Sequence, residues 1–169
     1  MKGCFAMGLI WQGLTHDLSK YSPTEFLTGA KYFQGNRSPN AAERQEIGYS
    51  IAWMHHKGRN RHHYEYWNDY NPKSKSIENV EMPLRFVIEM FCDRVAASKI
   101  YNEKTYNENM PIEYFLKSKH RRVIHPATSD LLESLLVMLQ EKGEDETLGL
   151  LFTGDLGSNN ALLYENKDN

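Results

Sequence analysis

LRFVIEMFCDRVAASKIY, residues 84–101, is the stretch on which the fold turns. At about 100° per residue, Leu84, Val87, Ile88, Phe91 and Val95 line up as one apolar stripe. Phe86, Met90, Ala97 and Ile100 form a second stripe on the opposite side. A helix that is apolar on two faces belongs at the centre of a core. Asp93 falls in the middle of the second stripe, and Glu89 lies one turn earlier on a similar face. An uncompensated carboxylate in that setting costs several kcal/mol. Asp93 should therefore be held by a cation or by hydrogen bonds, and a salt bridge to a buried arginine would satisfy it equally.

The segments on either side of this helix read as more helices. Upstream, an apolar run from Gly3 leads into Ser19 as one predicted helix. Ser22-Pro23-Thr24-Glu25 opens a second as a capping box with proline at the first helical position, ending near Gly35-Asn36. Ser38-Pro39 starts a third, carrying Ile47, Ile51, Trp53 and Met54 to His55. The stretch from Asn71 to Met82, with Pro72 and several lysines, reads as a loop. Downstream, helices are expected after Asn109-Met110-Pro111 and after His125-Pro126. The latter carries Leu131, Leu132, Leu135, Leu136 and Leu139 at helical spacing and stops near Gly143. The expected class is all-α: one compact helical bundle over residues 1–153, with a poorly ordered tail over 154–169 rich in Gly, Asn and Asp.

Composition fits one domain. The chain has 169 residues, 40% of them hydrophobic and 25% charged, with a formal net charge of −2 and a pI near 6.4. That balance speaks against a protein that holds nucleic acid or membrane through bulk positive charge. The basic residues Lys117, Lys119, Arg121 and Arg122 read as a solvated helix end. Cys4 and Cys92 each sit among apolar neighbours and read as a pair of buried thiols, which points to a reducing, cytoplasmic setting. The apolar start is too short to span a bilayer and lacks a small-residue cleavage pattern.

The chemistry is concentrated between His16 and His63, where five of the seven histidines lie. His16 and Asp17 are adjacent, and Lys20 follows within one helical turn, on their face. Adjacent His and Asp side chains can grip one ion from two sides, and the lysine suits an anion bound above it. An Asp17–Lys20 ion pair at a helix end explains the same residues without an ion. The segment HHKGRNRHHYEYW, residues 55–67, sets His55, His56, His62 and His63 around Lys57, Arg59 and Arg61. Gly58 and Asn60 make a continuous helix doubtful, so the chain should turn and bring two histidines back to one place. Histidines beside three cations suit a metal next to a phosphate. A polar surface loop is the plainer alternative.

The order HD…HH…D resembles the HD-domain superfamily of metal-dependent phosphohydrolases. HDLSK at 16–20 is similar to that family's H-D-x-G-K element, and the histidine-rich segment is similar to that of its two-metal members. FCDRVAAS at 91–98 resembles the helix bearing the last metal-binding aspartate. The chain looks closer still to a group of short bacterial and phage proteins that share HDLSKYSPTEF and the HHKGRN–HHYEYW block, a likeness that names no substrate. The superfamily resemblance implies an all-helical fold and one or two divalent transition-metal ions (Mn, Fe, Zn, Co or Ni). It implies His16, Asp17 and Asp93 as ligands of a first metal. One of His55/His56 and one of His62/His63 would serve a second. Asp17 and Lys20 would be catalytic, Lys20 holding phosphate or positioning the nucleophile. With it, the cations Lys57, Arg59 and Arg61 are expected to hold a small phosphorylated substrate, nucleotides being the class the resemblance favours. HD proteins carry a further histidine on the helix before the pair, and no histidine precedes His16 here. Either the chain begins late, or the site has one ligand fewer, or His120 or His125 takes that place. An apolar seam left by a missing helix would favour a homodimer.

Two functions compete on these grounds. One is a phosphohydrolase working through metal-activated water. The other is a non-catalytic module folded around its ion, whose basic loop near Arg59 meets a partner or a nucleic acid. An HNH-type nuclease is set aside, because that motif needs strands around its histidines.

Overall fold

A computed structural model describes residues 2–35 and 37–154. The predicted tail over 154–169 lies, apart from Gly154, outside the described residues. The chain divides into two units, one spanning Thr15–Tyr66 and the other built from the segments on either side of it.

The flanking unit is organised by the helix predicted over residues 84–101. It begins with α1 (Lys2–Ala6) and α2 (Ile10–Thr15, whose last residue falls in the other unit). The single helix expected from Gly3 to Ser19 is therefore broken. Gly8 takes φ 70°, a left-handed turn that ends α1. Gly3 lets α1 approach closely, since a β-carbon there would come 2.9 Å from Cys92 Sγ. Next come two short strands, β1 (Asn68–Asn71) and β2 (Ser76–Asn79), paired antiparallel with Tyr70 opposite Ile77. This corrects the expected loop over Asn71–Met82 and the strict all-α class: the chain is mostly helical with one small hairpin. Lys75 closes its turn at φ 57° and donates its backbone N–H to the Asn71 carbonyl at 2.8 Å.

Then α6 runs Leu84–Tyr101, followed by α7 (Met110–Lys119), α8 (Pro126–Lys142) and α9 (Glu144–Thr153). Phe86 through Cys92 and Val95 of α6 are buried. On α8, Leu132, Leu135, Leu136 and Leu139 are at most 1% exposed. At about 1.5–3 kcal/mol for each fully buried leucine, this stripe is a main source of core stability. Met82 donates its backbone N–H to Thr128 Oγ1 at 3.0 Å, tying the approach to α6 onto α8. Cys4 and Cys92 are both buried. A hydrogen bond with Cys4, together with burial, pushes the Cys92 thiol far above its ordinary range. No described helix is long and apolar enough to cross a membrane.

The Thr15–Tyr66 unit holds a 3-10 turn at Leu18–Tyr21, then α3 (Pro23–Tyr32), α4 (Pro39–Ile47), α5 (Ile51–Lys57) and a second 3-10 turn at Tyr64–Tyr66. The helix expected to continue from Pro39 to His55 is split in two. Gly48 at φ 85° caps α4, and Ser50 restarts the chain as the N-cap of α5, accepting the Trp53 N–H at 3.0 Å. Glu43 is buried and holds this joint, accepting from Ser50 Oγ at 2.5 Å and from the Ile51 N–H at 3.1 Å. α3 packs against α4, α5 and the 3-10 turn at Leu18–Tyr21.

Candidate metal centre

Four chain segments of the Thr15–Tyr66 unit position its polar side chains. Asp17 sits immediately after the first histidine, at φ 60° and ψ 18°, and caps the 3-10 turn. This left-handed backbone is one that aspartate tolerates better than most residues. The last turn of α5 supplies His55 and His56. The chain then reverses through Gly58–Asn60, with the Arg59 and Asn60 N–H groups donating to the His56 carbonyl at 3.1 Å and the His63 N–H to the Asn60 carbonyl at 3.1 Å. That reversal delivers His62 and His63. Trp53 walls the cluster, its ring 5.6 Å from His56 and 4.8 Å from His63.

Asp17, His56, His62 and His63 each offer one ligand atom, and these atoms lie within 4.8 Å of one another. Asp17 Oδ1 is 3.3 Å from His56 Nε2 and 3.5 Å from His62 Nε2. His16 Nε2 is 3.4 Å from the other oxygen, Oδ2. Two donors bound to one tetrahedral ion at about 2.0–2.2 Å stand about 3.4 Å apart. These edges therefore fit an ion of that size. His16, Asp17 and His62 also converge within 4.8 Å, so Asp17 and His62 belong to two overlapping donor sets. His/Asp groups able to hold a metal are thus present. One imidazole-rich set with a single carboxylate suits a borderline transition metal better than magnesium or calcium.

The electrostatics of the cluster are those of one carboxylate among bases. Burial pushes the Asp17 carboxyl up. Hydrogen bonds from His56 and Lys20, and the charges of His16 and Lys20, outweigh burial and hold it far below the usual carboxylate range. Burial pushes the His56 imidazole down, but Asp17 and Glu25 outweigh it and raise its pKa above the ordinary value.

The expected residues fall into place unequally. Of the pair His55/His56, only His56 joins a converging set; His55 Nδ1 instead meets Glu25 Oε1 at 2.7 Å. Of the second pair, both His62 and His63 join. Lys20 Nζ is 2.5 Å from Asp17 Oδ2, with its side chain 61% exposed. Arg59 is exposed and donates to the His55 carbonyl at 3.4 Å. Arg61 is exposed and stacks over Tyr66, and Lys57 is half-buried at the end of α5. Asp93 is half-buried on α6, in the flanking unit. Its neighbour Glu89 is buried and accepts from Gln12 Nε2 at 2.9 Å. Neither His120 nor His125 belongs to a metal-capable group among the described residues.

Reading the sequence missed Glu25, Asn60 and Ser19. Glu25 was assigned to capping. Ser22 does cap α3, accepting the Glu25 N–H at 3.3 Å, but the Glu25 carboxylate is buried and turns to the histidines. A family model matches residues 1–138, described as a family of unknown function (DUF5662). The chain belongs to that family. No curated protein and no solved structure matches it. DUF5662 membership covers every residue of the converging donor sets, and the chemistry must be argued from those residues themselves.

Proposed function

We propose that this chain is a metal-dependent phosphohydrolase whose ion is held by Asp17, His56, His62 and His63, with His16 beside them. The observation that carries the reading is the pair of 3.3 and 3.5 Å edges from Asp17 Oδ1 to two imidazole nitrogens, the spacing of atoms that share one ion. Resemblance to the HD superfamily supplies the reaction and adds Asp93 as a ligand. A bound divalent ion would bring the pKa of coordinated water toward neutrality and offset charge at phosphorus. The chain's own residues do the rest. Asp17 binds, and Oδ1 and Oδ2 face different histidines, so one carboxylate can serve both donor sets. The exposed Lys20 ammonium, paired with Asp17, would meet a phosphate oxygen. A nucleotide is the substrate class the resemblance favours.

Elemental mass spectrometry on gently purified protein, wild type beside Asp93→Ala and His62→Ala, is the first test. Near-stoichiometric transition metal in the wild type and its loss in His62→Ala support the metal centre. Loss in Asp93→Ala adds that residue to it. Turnover of one member of a phosphoester panel by the metal-loaded protein supports the activity; metal without turnover overturns it. The second reading, a module that the ion folds but that does no chemistry, is favoured by one observation. Asp17 Oδ1, His62 Nε2 and His63 Nε2 are all buried from water, as in closed structural sites.

A further inference from the structure

We propose that Glu25 is a positioning residue of the metal centre, the carboxylate that fixes which nitrogen of His56 faces the ion. This rests on the metal-binding reading above. Glu25 is only 8% exposed. Its Oε1 lies 2.7 Å from His55 Nδ1 and its Oε2 lies 2.9 Å from His56 Nδ1. The opposite nitrogen of His56 is the one 3.3 Å from Asp17 Oδ1. A ring that donates Nδ1–H to a carboxylate keeps its Nε2 lone pair for a metal.

The surrounding hydrogen bonds lead to the same proton placement. Asn60 Nδ2 stands 3.1 Å from His56 Nδ1, but its two hydrogens are already directed, one to Ser19 Oγ at 2.7 Å and one to the His56 carbonyl at 2.9 Å. Flipping the amide would set its oxygen against that carbonyl, so the orientation is fixed. Ser19 Oγ also lies 3.2 Å from His56 Nδ1; accepting from Asn60, it has one hydrogen of its own, and the Glu25 carboxylate, with which Ser19 forms a hydrogen bond, is the stronger acceptor for it. Glu25 thus gathers donors from three side chains, and an ionised carboxylate has acceptor sites for all of them. A glutamate at the third position of a helix usually turns back on the helix's own N-terminus. Here it is spent on two imidazoles, which is the arrangement that orients a ligating histidine.

The test is Co2+ affinity by competition with a chromophoric chelator, with the visible Co2+ absorption band as a second readout. Glu25→Ala should weaken Co2+ about 10–100-fold and shift the band. Glu25→Gln, which can still accept one Nδ1–H, should lose less. Glu43→Gln is the control for a buried glutamate that only braces the fold: it should lower Tm and leave Co2+ affinity unchanged. Wild-type affinity and an unshifted band in Glu25→Gln and Glu25→Ala would overturn the positioning role while leaving the metal centre standing. If Glu25→Ala does not fold, Glu25→Gln alone decides. A wild type that binds no Co2+ overturns the metal reading and this inference with it.

Discussion

Asp17→Asn isolates the charge at the centre of the cluster. The backbone there is left-handed, φ 60° and ψ 18°, and asparagine accepts that conformation as readily as aspartate. Size and backbone are kept, and only the anion is lost. It stands 3.3 Å from His56 Nε2, 3.4 Å from His16 Nε2 and 2.5 Å from Lys20 Nζ. Removing one partner of a fully buried ion pair costs about 3–5 kcal/mol. The Asp17 side chain keeps 13% exposure and Lys20 61%, so water screens the lysine arm. The metal-free variant should therefore lose about 2–3 kcal/mol at pH 5.5. The pH dependence follows from His56, whose pKa is raised above its ordinary 6.5. The stability it contributes is fully present below 6.5 and is lost as pH rises through the raised value. Once pH has risen past that raised value the imidazole is neutral, and only the lysine arm, about 1 kcal/mol or less, still depends on the carboxylate. Urea unfolding in a chelator, followed by fluorescence, reads this directly, because Trp53 packs on His56 and His63. An equal loss at pH 5.5 and above the His56 titration, or none at pH 5.5, would refute the reasoning. Asp17→Ala provides the internal check: it should add a backbone cost of about 1–2 kcal/mol at both pH values.

Metal affinity should rise with pH. His56 carries a proton below its raised pKa, and Nε2 must lose it before binding, so the Kd for Co2+ should worsen by up to about tenfold per pH unit on acidification; a flat profile would remove His56 from the ligand set. Lys75→Gly should stabilise the hairpin by up to about 1 kcal/mol, since Lys75 sits at φ 57° and glycine removes that strain at a smaller entropic cost; a lower Tm would show that the lysine side chain contributes something of its own. Leu136→Ala should cost about 2–5 kcal/mol by thermal or urea unfolding, because Leu136 is completely buried on α8; a loss under 1 kcal/mol would mean that this core collapses easily.

The long helices were legible because their apolar spacing is strong and uninterrupted. α6 has the limits that its two stripes predicted, and α8 begins at Pro126 and ends one residue before Gly143. The breaks were less legible. Gly8 and Gly48 end helices through positive φ, and a glycine in an apolar run carries no mark telling a tolerated residue from a terminating one. The hairpin was invisible for a different reason. Asn68-Asp69-Tyr70-Asn71 has low strand propensity and no alternation. What holds it is cross-strand: Tyr70 opposite Ile77, and Asn71 Nδ2 donating to Glu78 Oε2 at 2.6 Å.

The site shows the same division between what residue type reveals and what only geometry reveals. Clustered histidines around Gly58 and Asn60 announced a chain reversal, and one member of each pair was expected to act. Residue type could not tell His55 from His56, since adjacent positions on a helix differ only in direction. The direction in which each ring leaves α5 decides between them. Glu25 holds both rings by Nδ1, yet only His56 presents its other nitrogen to Asp17. Glu25 escaped notice because a local rule already accounted for it: Ser22 and Glu25 have capping-box spacing, and half of that box forms. A pattern that explains the backbone amide says nothing of the carboxylate four bonds away. The carboxylate's destination depends on α5, some thirty residues downstream in sequence. Partners of that kind become visible when a residue with a satisfactory local role proves to be buried, because a capping glutamate has no reason to leave solvent.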